Sequence, residues 1–198
     1  MPNILQLITE RLGYPALQKV DPNTQESAVE QYHGNALGKL SQAAIPAIMI
    51  AITRYFRIDA NSRNLTAAFS GNEWLQQLFG KKKEAVIQKI ADFSGKDTAA
   101  TTSEMERIAT TAIEIIREKQ PEPDTQKINN LLGSQNNNFL SHLPASLQLG
   151  QLMGDDTIDD RTNKMQGTVS SFLHKIGDAF SKPTKTKNWP PTPDTPHN

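Results

Sequence analysis

Ile4, Leu5, Ile8 and Leu12 recur at three- and four-residue intervals, the spacing of one face of a helix. Pro2 suits the first turn of that helix and Gly13 its stop. Asp21-Pro22-Asn23-Thr24 reads as a turn, and Asn23 with Glu26 as a capping box opening a long helical segment that runs to about Phe56. Gly34, Gly38 and Pro46 interrupt this segment, and Pro46 is expected to kink or split it because it lacks a backbone donor. Ser70-Gly71-Asn72-Glu73 has the form of another capping box, ahead of a short helix through Trp74, Leu75, Leu78 and Phe79 that Gly80 ends.

Val86, Ile87, Ile90 and Ala91 make one apolar face between Glu84 and Ser94, with Gly95 as the next stop. Between Asp97 and Lys119, the stripe of Met105, Ile108, Ala109, Ala112 and Ile116 is widened by Ile113 and Ile115. Such a helix is expected to be buried on more than one side. Pro121 and Pro123 break the chain, and Asp124 can cap a helix carrying Ile128, Leu131 and Leu132. Gly133-Ser134 and Asn136-Asn137-Asn138 read as turn material, followed by an apolar patch from Phe139 to Met153. A last helix is expected over about 157–180, on Val169, Phe172, Leu173, Ile176 and Phe180. Beyond Ser181 come five of the chain's 12 prolines, with Trp189 as an apolar anchor. That stretch predicts an extended or disordered tail over 181–198, too poor in apolar surface to offset its ordering entropy.

No run alternates as a strand would, so the expected class is all-α: a compact multi-helix bundle over 1–180 with a Pro-rich C-terminal tail. The most apolar stretch, from Ile45 to Ile52, is shorter than the ~20 residues a membrane span needs and reads as a buried core helix. With 36% hydrophobic but only 6% aromatic residues, the core must rest on aliphatic side chains. The 21 basic and 21 acidic residues balance, which argues against a nucleic-acid partner. The absence of cysteine excludes disulfides, thiolate metal sites and a cysteine nucleophile. The first residues lack the pattern of a secretory signal, so a cytoplasmic location is the expectation.

Phe79-Gly80, Ser94-Gly95, the Ile-rich helix that follows, Leu131-Leu132 with Gln135, and Leu143-Pro144 with Leu147 together form a wider pattern. Over about 25–154 it resembles a bacterial family of helical domains of unknown function that includes the YidB-like proteins. Ala109-Thr110-Thr111 stands where that family's pattern has an Ala-Pro step. The resemblance implies a helical fold and brings no catalytic residue or cofactor. Helix pairs around 25–58 and 84–119 suggest an internal duplication.

Chemically capable side chains are scattered. Asp155, Asp156, Asp159 and Asp160 could share a hard cation, but acids at the start of a helix also complement its positive end, and Asp160 can pair with Lys164. Lys81, Lys82 and Lys83 could meet an anion, or simply lie solvated at a helix end. His33, His142, His174 and His197 form no zinc motif. Ser141 beside His142 suggests a nucleophile and base, yet adjacent residues rarely face each other and no acid accompanies them. Gly34/Gly38 and Gly150/Gly154 are better explained by close packing than by a membrane motif.

For partner binding, Trp189 with Pro190, Pro191 and Pro193 resembles an extended segment ready to dock in a groove, and Phe172 and Phe180 could anchor the last helix on a partner. The functional expectation is a non-catalytic helical protein that acts through a protein partner, with no cofactor, no metal and no transmembrane segment. The alternatives are a metal or ligand site at 155–160, and a peripheral envelope protein held by its last helix.

Overall fold

The computed structural model describes residues 3–20, 35–58, 73–122 and 124–154. These belong to a unit spanning 1–165; a second unit, 166–198, lies outside the described residues. So do the 155–160 acids, the expected last helix and the Pro-rich tail, with Phe172, Phe180, Trp189, Pro190, Pro191 and Pro193. His33, His174, His197, Gly34, Asn23 and Ser70 are outside them too.

Among the described residues the helices are α1 (Ile4–Leu12), α2 (Ala36–Ile58), α3 (Trp74–Phe79), α4 (Lys83–Ser94), α5 (Thr98–Lys119), α6 (Thr125–His142) and α7 (Leu149–Met153). Short 3-10 turns at Gly80–Lys82 and Ala145–Leu147 join α3 to α4 and α6 to α7. The described residues contain no strand, so the all-α bundle stands.

Local chemistry sets most boundaries. Asn3 caps α1 by accepting from the Gln6 amide at 2.8 Å, and Asp97 and Asp124 do the same for α5 and α6. Gly13 and Gly95 stop α1 and α4 at φ of 69° and 71°, left-handed geometry that costs a residue with a Cβ. The centre is α2, which packs against α6, α4 and α5. From Leu40 to Ile52 nearly every apolar side chain of α2 is fully buried, and it meets Trp74, Leu75, Met105, Ile108, Ile116, Ile128 and Phe139 in one continuous core.

One sequence expectation fails here and the splitting half of another does too, both because tertiary packing outweighs local propensity. Pro46 does not split α2, which runs unbroken through it. A proline inside a helix costs ~3 kcal/mol. Burial of the flanking Ala43, Ala44, Ile45, Ala47, Ile48 and Met49 offsets that cost. Likewise Gly133-Ser134 and Asn136-Asn137-Asn138 are not turns but the middle of α6. Ile128, Leu132 and Phe139 hold that helix on the core, and Gln135 accepts the Ile4 amide at 2.9 Å, satisfying a donor that α1 leaves open.

The stretch from Ile45 to Ile52 is buried as expected, but it belongs to an apolar helix longer than the stretch itself. The whole helix from Ala36 to Arg57 is long and apolar enough to cross a membrane by length and composition, and 72% of that window is buried among the other helices.

Candidate functional site

The C-terminal end of α6 is where Ser141 and His142 sit, and its carbonyls are capped from a distance. The Val20 amide donates to the Ser141 carbonyl at 2.8 Å, and Gln42 Nε2 donates to that of His142 at 2.8 Å. The same Gln42 amide bonds Gln18 twice, accepting from its N–H at 2.8 Å and donating to its carbonyl at 2.9 Å. One buried glutamine thus ties the segment after α1 to α2 and to the end of α6. Leu143 can then turn extended ahead of Pro144 without a glycine.

Within this arrangement the Ser141–His142 pair does not make a nucleophile and base. Ser141 Oγ donates to the Asn138 carbonyl at 2.9 Å, and His142 Nδ1 lies 2.7 Å from the same oxygen, so it carries the proton. Their mutual distance is 3.3 Å, longer than either bond to Asn138. Both side chains serve helix backbone. Among the described residues no group of three or more metal-ligating side chains converges.

A second polar cluster joins the segment after α1 to α5. The Tyr14 hydroxyl donates to Glu104, and Arg107 Nη2 reaches both Tyr14 Oη at 3.0 Å and Glu104 at 2.5 Å. The guanidinium carbon also stands 5.5 Å from the centre of the Tyr14 ring. Burial raises the Tyr14 pKa, and the Glu104 carboxylate raises it further. Burial works the same way on Glu104, but the hydrogen bonds from Tyr14 and Arg107 outweigh it and hold that carboxyl below its usual value. Two residues on, Glu106 accepts the Trp74 and Leu75 amides at 3.1 and 3.2 Å. This carboxylate from α5 caps α3, where Glu73 offers no side-chain cap. Burial raises the Glu106 pKa despite those two bonds.

Between α2, the α3–α4 turn and α7 lies a groove of about 290 Å³. Its lining includes Phe79, which is buried, Leu78 and Met153, which are half-buried, and Gln77 and Lys82, which are exposed. Arg54 uses Nη1 to cap the α7 carbonyl of Met153 at 2.8 Å. Among the described residues neither Arg54 nor Lys82 has a carboxylate partner, and no acidic side chain lines the groove. Of the lysine run, Lys81 and Lys82 are exposed on the 3-10 turn, while Lys83 opens α4 and pairs with Glu84 at 3.6 Å. The run therefore divides, and Lys82 is its member in the lining of this groove. Gly38 lies beside Pro15, and a Cβ there would stand 3.7 Å from Pro15 Cγ, an ordinary van der Waals contact, so close packing does not require glycine at this position.

Sequence reasoning did not find Gln42, Glu106 or the placing of Arg54 and Lys82 on one groove. Gln42 carried one signal, an amide inside an otherwise apolar stripe; Glu106 and Arg54 carried none, because their partners lie 31 or more residues away. No family model, curated protein or solved structure matches the chain.

Proposed function

We propose that this chain is a non-catalytic helical recognition module, a scaffold or accessory subunit that works by binding a protein partner. The observation that carries the reading is the groove: Arg54 and Lys82, without carboxylate partners among the described residues, line it together with Leu78, Phe79 and Met153, on helices fixed by one shared core. Recognition surfaces combine a rigid frame, an apolar centre and a polar rim in this way. The engagement of Ser141 and His142 with the Asn138 carbonyl supports the same reading, because it directs the most reactive-looking pair toward holding the end of α6. The resemblance to YidB-like domains adds no reactive residue to set against it.

The test is affinity capture from cells with the full chain and with a version ending at Ser181. A stoichiometric protein partner recovered with at least one of them is the expected result. Recovery of the bait alone in both cases would count against a recognition role.

A further inference from the structure

We propose that the groove between α2, the α3–α4 turn and α7 receives an acidic, aliphatic peptide segment of a protein partner. One apolar side chain would lie on Leu78, Phe79 and Met153, and a neighbouring carboxylate would lie between Arg54 and Lys82. The proposal rests on the recognition role put forward above and names the chemistry of the partner.

Size argues first. Sites for drug-sized ligands and cofactors run from ~300 to 1,000 Å³. At about 290 Å³ this groove is at the lower edge, matched to one or two side chains of a longer chain lying across the surface. Charge argues next. A carboxylate would complete both cations, whereas a basic segment would bring like charges together over a rim that holds no acid among the described residues. Geometry gives Arg54 its part. Nη1 is committed to the Met153 carbonyl, which fixes the guanidinium plane and leaves its remaining donors for a ligand. Lys82, exposed on the 3-10 turn, lines the same groove and supplies a second cation.

The probe is a phage-displayed library of random peptides selected on the full-length chain, followed by fluorescence anisotropy of the selected peptide and of its Asp/Glu→Asn/Gln counterpart. Enriched sequences are expected to place an acid beside Leu, Ile or Met. Neutralising the acid, or replacing Lys82 by Glu, is expected to weaken binding by about tenfold, and raising the salt should weaken it as well. Lys82→Glu changes an exposed side chain on a turn and spares the core; Arg54→Gln is the second variant, with its fold checked by circular dichroism. No enrichment, enrichment of basic or purely apolar sequences, or equal binding by Lys82→Glu would overturn the proposal. A partner captured from cells that binds Lys82→Glu as well as the original chain would leave the recognition role standing and remove this groove from it.

Discussion

Replacing Gln42 by Leu tests the central latch of the fold. The side chain makes three hydrogen bonds, two to Gln18 and one to the His142 carbonyl, from a position only 4% exposed. Leucine has similar volume, so packing should survive while three backbone groups lose their partner. At ~1 kcal/mol net per bond the loss is about 3 kcal/mol. Extra apolar burial returns about 1 kcal/mol, leaving about 2 kcal/mol. For a chain of this size that corresponds to a fall of about 4–8 °C in Tm. Gln42→Glu should cost more at neutral pH, because a carboxylate would face two carbonyl oxygens where an amide now donates. Thermal unfolding by circular dichroism gives the ranking, and hydrogen exchange at the Gln18 amide gives the local readout. An unchanged Tm in Gln42→Leu, or a Gln18 amide as protected as before, would show that the latch contributes nothing.

Other outcomes follow from the same geometry. Tyr14→Phe should cost about 1 kcal/mol through the hydrogen bonds to Glu104 and Arg107, measured by urea denaturation. Because the folded Tyr14 pKa is raised, the folded state keeps its proton where the unfolded chain has lost it. Stability is therefore expected to fall as pH rises above about 10, and that fall should be smaller in Tyr14→Phe. The Thr101 hydroxyl is buried without a partner, so Thr101→Val should gain about 0.5–1 kcal/mol in the same assay. Gln148 is exposed and holds a left-handed backbone at φ 46°; Gln148→Gly should relieve that strain and raise stability by about 0.5–1 kcal/mol.

The sequence made legible those features that neighbouring residues settle among themselves. Asp97, Asp124, Gly13 and Gly95 act within one turn of their own position, and they bound helices where spacing predicted. Features fixed by contacts across the fold were hidden. Pro46 and the Asn136–Asn138 run carry strong local signals against a helix, yet both lie inside one because burial on α2 and the Gln135–Ile4 bond decide the matter. The groove shows the same division. Lys82 was visible as part of a charged run, but Arg54 joins it only through the packing of α2 beside the α3–α4 turn. An arginine near the end of an apolar helix announces no such neighbour.

The central claim, that this chain works by holding another protein, is tested most directly by photo-crosslinking in living cells. A photoreactive amino acid placed at Gln77, on the exposed rim of the groove, is compared with one at Gln88 on the exposed side of α4. The account predicts a discrete adduct with one identifiable protein from position 77 and little or none from position 88. Absence of any protein adduct from either position, and from further exposed positions scanned around the bundle, would contradict it.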